Sequence, residues 1–339
     1  MINRIYRLTV PGWLETDYES VSLTERRVVV RPTYLSICAA DQRYYRGERS
    51  PEVLRKKLPM ALIHEGIGQV LWDETHTYQQ GESVVMLPNV AAGENLSIKE
   101  NYRPGSRFLS SGYDGFLRDY VLLPPEQLLR LPEGAGVHYV FTELLSVACN
   151  AISTYQALGR GEGQRFGVWG SGSMGYTMAL ALRVLYPQAQ ITVIGRGQEK
   201  LQYCSFADRL RLAAEDIPEN SFDCGFECVG GSASQQAIDQ MITCVRPQGA
   251  LVLLGVSEEP VDLRTRTVLE KGLALLGASR SGREDFETAL SIIQRKKRVE
   301  NYLKVIISQE VEIQSVQDIR QAFYTDTALP FKTVMRWNT

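Results

Sequence analysis

The run Arg165-Phe166-Gly167-Val168-Trp169-Gly170-Ser171-Gly172-Ser173-Met174-Gly175 reads as an apolar strand, a glycine-rich turn and the start of a helix. Its last six residues form the pattern GxGxxG. Alone that pattern is weak; between a strand and a helix it acquires a mechanism. The first glycine permits a tight turn, the second lets the backbone approach a pyrophosphate, and the third lets helix and strand pack closely. The helix N-terminus then offers unpaired N–H groups and a positive dipole end to the phosphates. The bland alternative is a plain structural turn. Downstream come a helix (Met174–Tyr186), a strand (Gln190–Ile194), a strand near Phe222–Glu227, a helix near Ser234–Cys244, and strands at Ala250–Gly255 and Leu273–Gly277. Strands alternating with helices predict an α/β unit, a doubly wound parallel sheet of Rossmann type.

The second strand of that unit ends at Ile194-Gly195-Arg196. A cofactor with a free ribose 2′-hydroxyl usually meets an Asp or Glu here. This chain has neither: Gly195 leaves room, Arg196 supplies charge, and Lys200 follows one helical turn later. A guanidinium suits a 2′-phosphate, so Gly170, Ser171, Gly172, Ser173, Met174, Gly175, Arg196 and Lys200 are the candidate cofactor residues, with NADPH favoured over NADH. The competing reading makes Arg196 and Lys200 a solvated face.

Upstream the rhythm differs. Arg26–Pro32, Gly68–Leu71, Ser83–Leu87 and Leu117–Leu123 are short β-branched or alternating runs bounded by turn residues. Pro51–Leu58 reads as a loop or short helix, and Gly93–Ser111 as a long surface loop. Leu144–Ala157 has helical spacing, and Phe331–Trp337 is again a strand.

With 339 residues the chain suits about two domains. Lys+Arg total 37 against Asp+Glu 39, a net charge of −2, which excludes the broad basic footprint of a nucleic-acid binder. No apolar span of about 20 residues exists, so no transmembrane helix is expected. Met1–Thr9 has no apolar signal core, and the six cysteines are dispersed, so we expect reduced thiols in the cytoplasm. Cys224 and Cys228 lie in a strand-like stretch and read as core packing.

Four residues before position 150 are candidate metal ligands: Cys38, His64, Glu65 and Glu143. A thiolate, an imidazole and carboxylates suit zinc. Each singly has a plainer reading: a core cysteine, a satisfied polar turn, a helix-start carboxylate. Their contexts change that weighing. Cys38 with Asp41 downstream, His64-Glu65-Gly66-Ile67-Gly68-Gln69-Val70, Gly81–Val84, Gly112–Phe116, Glu143, the GxGxxG and Glu227–Gly231 resemble the medium-chain dehydrogenase/reductase family, in its zinc-dependent polyol-dehydrogenase branch. The likeness covers nearly the whole chain. Within that branch, Ser36–Tyr45, Phe226–Gly231, Leu254–Glu258 and Leu269–Gly282 look like the ribulose-5-phosphate reductases that supply ribitol phosphate for teichoic acids and capsules.

The resemblance implies a GroES-like, mostly-β catalytic domain from residues 1–149 and 285–339, with a Rossmann domain at 150–284, cofactor and substrate meeting in the cleft between them. It implies NADP(H), one catalytic Zn2+ per chain held by Cys38, His64 and Glu143, and a Glu65 that either ligates directly or alternates with water or substrate. It also implies a sugar-phosphate substrate, a homodimer, and association with a ribitol-5-phosphate cytidylyltransferase. Three departures stand out. Pro88–Phe108 carries no Cys, so a second, structural zinc is not expected. The Gly that usually precedes His-Glu is Ile63. The hydroxyl residue two after the ligand Cys is Ala40, which leaves Asp41 and Tyr44 as proton-route candidates by position, against a structural role for both. Arg43, Arg46 and Arg107 are candidates for the substrate phosphate, against a solvated reading. Three rival functions remain: a zinc-free quinone or enone reductase on the same fold; another zinc-dependent polyol or polyol-phosphate dehydrogenase; and a non-catalytic NADPH-binding partner subunit.

Overall fold

A computed structural model describes residues 1–23, 27–93, 97–159, 165–295 and 297–338. Arg26, the first residue of one expected strand, and positions 94–96 of the expected loop lie outside these. The chain forms two compact units, Met1–Glu143 with Ser281–Thr339, and Leu144–Arg280.

The unit Leu144–Arg280 carries a six-stranded parallel sheet. Its strands are Arg165–Trp169, Gln190–Gly195, Arg209–Leu212, Phe222–Glu227, Val245–Leu253 and Ala274–Gly277. They lie in the order third, second, first, fourth, fifth, sixth, the doubly wound arrangement. The four inner strands are buried along most of their length because helices cover both faces, so they read as near-continuous apolar runs, whereas the edge strands Arg209–Leu212 and Ala274–Gly277 are exposed or half-buried. Trp169, Ile194, Met241, Ile242, Val245 and Leu251 form a core between the sheet and the helix Ser234–Cys244. The strand expected at 250–255 begins earlier, at Val245, through a register shift opposite Phe222–Cys224.

The other unit is mostly β. A hairpin, Ile2–Val10 with Trp13–Ser20, turns at Pro11-Gly12, where Gly12 takes φ +76°. Sequence reading missed both strands: arginines interrupt the apolar run of the first, and the second, WLETDYES, is mostly polar and exposed. Leu117–Leu123 is a strand only over Val121–Leu123. The main sheet centres on Val28–Ser36, flanked by Glu65–Asp73 on one side and Lys332–Trp337 on the other. The C-terminal strand thus completes a sheet begun near residue 28, and Trp337 packs edge-on against Tyr6, ring centroids 5.7 Å apart. Among the described residues no helix is long and apolar enough to cross a membrane.

Candidate active site

Strand register assembles the metal candidates. Ser36 pairs with Glu65 on one side and Val334 on the other. Ile37 N–H donates to the Thr333 carbonyl at 3.1 Å. The chain leaving Ser36 reaches Cys38, the chain entering Glu65 carries His64, and Lys332 opens the third strand. Three strands therefore deliver their site residues to one end of one sheet. The ligand atoms of Cys38, His64 and Glu65 all lie within 4.8 Å of one another. Glu143, at the start of the helix Thr142–Gln156, is buried but not part of that group of three.

Asp41 is fully buried in the helix Ala39–Tyr45. Its Oδ2 accepts from Cys38 N–H at 3.1 Å, and its Oδ1 accepts from Ile63 N–H at 3.0 Å and from Ser110 Oγ at 2.6 Å. His64 Nδ1 stands 3.5 Å from Asp41 Oδ1 and 3.4 Å from Ser110 Oγ. A carboxylate at one ring nitrogen fixes the imidazole and points the other nitrogen at a metal. Both Asp41 oxygens are so occupied that the geometry gives it a positioning role toward His64 and the Cys38 backbone. The strain sits beside it: Ile63 has φ +71°, a left-handed conformation that a β-branched residue adopts only when its surroundings impose it. The glycine expected at this position by resemblance is thereby explained.

Burial pushes His64 toward its neutral form, but the negative charges of Asp41 and Cys38 outweigh it and hold its pKa well above 6.5. Burial likewise drives the Glu143 carboxyl upward; His64 opposes that, while the Glu65 charge adds to it. Lys332, which sequence reading missed, donates from Nζ to Glu65 Oε1 at 2.6 Å, with both side chains buried. Burial alone would lower the Lys332 ammonium; the Glu65 carboxylate reverses the shift and raises it. The available signal was a lysine opening a strand otherwise apolar enough to be buried. Glu65 Oε2 is buried, and among the described residues no hydrogen-bond donor reaches it. A carboxylate oxygen left so costs free energy that a coordinated cation recovers. A thiolate, an imidazole and this carboxylate, crowded by further acids, fit a zinc ion.

In the other unit, Gly170 takes φ +117°, and a Cβ there would stand 2.7 Å from the Cys228 carbonyl oxygen; a Cβ on Gly175 would collide with the Gly170 carbonyl. Gly172 has open space on its free side. The three glycines thus divide into two required by packing and one facing space a ligand can enter. Trp169–Gly172, Ile194–Gly197, Lys200, Cys228 and Gln236 are among the walls of a cavity of about 420 Å3. Arg196 and Lys200 line it together, with Glu199. Gly195 lines the same cavity, and a Cβ there would also meet Ser171 Oγ and Leu201, so neighbouring side chains add their own demand for the glycine. Buried Glu227, next in sequence to the wall residues Cys228 and Val229, ties the surrounding backbone together. Its Oε1 accepts from Val229 N–H and Gly230 N–H at 2.9 Å and from Ser234 Oγ at 3.0 Å; its Oε2 accepts from Gly255 N–H at 2.7 Å.

The remaining candidates separate. Tyr44 is buried, and its hydroxyl accepts from Lys57 Nζ at 2.9 Å. Arg46 is exposed and pairs with Glu48 at 2.9 Å. Arg107 lies over the Tyr113 ring at 5.4 Å and lines a second cavity with Arg118 and Gln127. Arg43 sits half-buried on the Asp41 helix. Cys224 and Cys228 are buried, and burial raises both thiols well above their ordinary value, as core packing requires.

A parallel nucleotide-type sheet joined to a β unit bearing a Cys/His/Glu donor set defines a dehydrogenase, and the chain belongs to the zinc-binding dehydrogenase family. Residues 24–133 match the alcohol dehydrogenase GroES-like domain, and residues 206–295 the zinc-binding dehydrogenase domain. The chain is 45% identical over 340 residues to the ribulose-5-phosphate reductase of Bacillus spizizenii, covering 99% of each chain. It is 42% identical to that of Streptococcus pneumoniae, covering 99% of this chain and 98% of the other. It is also similar to the crystal structure of Staphylococcus aureus TarJ in complex with NADPH, with a TM-score of 0.88, 40% identity and full coverage of both chains.

Proposed function

We propose that this protein reduces D-ribulose 5-phosphate to D-ribitol 5-phosphate with NADPH, supplying ribitol phosphate for wall teichoic acid or capsule synthesis. The observation that carries the reaction class is the Cys38/His64/Glu65 donor set oriented by Asp41. The substrate and cofactor rest on the full-length relatives named for that reduction and on the NADPH complex.

Cys38, His64 and Glu65 would hold a single zinc, with Glu143 as a buried carboxylate alongside. At these residues a zinc ion would supply Lewis-acid polarisation of the ketone oxygen and NADPH would supply the hydride. The chain's own residues do the rest. Asp41 and Ser110 hold His64 in place. Lys332 keeps one Glu65 oxygen occupied and leaves the other to turn toward the metal. Arg196 and Lys200 receive the 2′-phosphate, and the open face at Gly172 admits the pyrophosphate. The same reading includes a cytoplasmic location, a homodimer, and association with a ribitol-5-phosphate cytidylyltransferase.

The test is a panel of pentulose and pentitol phosphates followed by NADPH absorbance, with metal analysis of the active protein. Reduction of ribulose 5-phosphate far faster than of free ribulose, with one zinc per chain, is expected. Comparable specificity constants for the two would move the enzyme to the free-polyol branch. Two zincs per chain, or none in active protein, would sink the metal assignment.

A further inference from the structure

The ammonium of Lys57 is half-buried at the end of the helix Pro51–Lys57. It donates to two neutral oxygens, Tyr44 Oη at 2.9 Å and Ser111 Oγ at 2.8 Å. Among the described residues no carboxylate lies within ion-pair distance of it. A lysine taken partly out of water without a counter-ion is costly, and cations so placed are ordinarily paired. With three donors and two in use, Lys57 keeps one N–H for an incoming anion. The Arg49 guanidinium adds positive charge, lying 5.0 Å from the centroid of the Tyr44 ring, with Lys57 Nζ 5.6 Å from the same centroid.

This cluster is joined to the metal candidates by one short segment. Phe108 lies edge-on to His64, ring centroids 5.3 Å apart, and Ser110 Oγ meets Asp41 and His64. Ser110 takes φ +65°, a left-handed turn, and the next side chain, Ser111, goes to Lys57. Two consecutive serines, with Cα atoms about 3.8 Å apart, therefore serve the metal ligand and the unpaired ammonium. We propose that Lys57, supported by Ser111, Tyr44 and Arg49, is the anchor for the substrate's phosphate. This rests on the function proposed above. It replaces Arg46 as a phosphate candidate, since Glu48 already pairs with that guanidinium. It also moves Tyr44 from the proton route to the phosphate end of the substrate.

The experiment uses the full-length holoenzyme at saturating NADPH, with D-ribulose 5-phosphate, D-ribulose and inorganic phosphate as probes. Lys57→Gln should lower kcat/KM for the phosphate ester by about 10- to 150-fold, the range of a charge-assisted hydrogen bond. Activity on free ribulose should be essentially unchanged. Inorganic phosphate should compete with the ketose in the wild type and lose potency by a similar factor in the variant. Lys57→Arg should restore much of the preference, and Lys56→Gln, the same charge change on an exposed neighbour, should leave it intact. Equal losses on both substrates, or no loss on either, would overturn the assignment. If the wild type shows no preference for the ester, the proposed function fails. The Lys57 site is then judged by inorganic phosphate alone: inhibition of free-ribulose reduction that disappears in Lys57→Gln keeps it, and inhibition that persists or was never present removes it.

Discussion

The two units build their sites in opposite ways. In Leu144–Arg280 the walls of the cavity come from three stretches within about 70 residues of one another, the turn Trp169–Gly172, the strand end and helix start from Ile194 to Lys200, and residues between Ala213 and Gln240. In the β unit the site draws on positions 38, 41, 64, 65, 110, 143 and 332, with Lys332 and Glu65 separated by 267 residues. A site lined by the loop ends of one parallel sheet can be altered one contact at a time. A site held by strand register and buried acids is a network, in which each group fixes the charge state and aim of its neighbours.

The sharpest way to break that contrast is Cys38→Ala. Losing a ligand should cost several kcal/mol of alkoxide stabilisation, about a thousandfold in turnover. NADPH binding, followed by the cofactor's fluorescence, should be largely intact, because no residue lining the nucleotide cavity is touched. Loss of NADPH affinity on the same scale would show that the two sites are one network.

Arg196→Asp probes the opposite unit. It should erase or invert the preference for NADPH over NADH, a change of about 10- to 150-fold in the ratio of specificity constants. Zinc content should be unaltered. An unchanged ratio would make Arg196 a surface charge.

Asp41→Asn keeps the shape of the side chain but puts an amide where Cys38 N–H, Ile63 N–H and Ser110 Oγ now meet a carboxylate. Loss of such an outer partner should weaken zinc binding by about 10- to 100-fold, measured by competition with a chelator. Affinity equal to that of the wild type would show that His64 needs no support from behind.

The smallest effect concerns the frame. Arg7 pairs with Asp114 at 2.6 Å across 107 residues, and also with Asp17 and Glu19. Burial raises the Asp114 carboxyl, but the Arg7 guanidinium outweighs it and holds the pKa below the ordinary value. A depressed carboxylate contributes stability that is present above its unfolded value, about 4, and is lost as pH falls through the lower folded value. Asp114→Asn should therefore cost about 1 kcal/mol in chemical denaturation at neutral pH, with the gap to wild type closing below about pH 4. A gap that is the same at pH 3 and pH 7 would refute the ionic origin.

Several parts of this molecule were legible because their cause is local. The boundaries of Phe222–Glu227 and Ser234–Cys244 follow from apolar runs and helical spacing, and both elements stand where those patterns place them. The strand Ile2–Val10 was missed because Arg4 and Arg7 interrupt the run that holds the buried Ile5 and Leu8, and their partners Asp119 and Asp114 come from far along the chain. The second demand on Gly195 was hidden for the same reason: Ser171, which crowds it, becomes its neighbour only on folding.

The sequence by itself determined that strands alternate with helices after residue 144 and that a glycine turn opens one helix. It also named a thiol, an imidazole and carboxylates as candidate ligands. Those facts are properties of short windows, set by side-chain period, backbone freedom and donor chemistry. Only tertiary structure decided that Ser36 pairs with both Glu65 and Val334, bringing Cys38, His64 and Lys332 to one sheet end. It also decided that Ile63 adopts a left-handed backbone and donates to Asp41, and that Lys57 ends beside Tyr44 and Ser111 with no counter-ion among the described residues. Each depends on pairings between segments tens to hundreds of residues apart. Such pairings are chosen by the burial of whole sheet faces, and no short window of sequence encodes them.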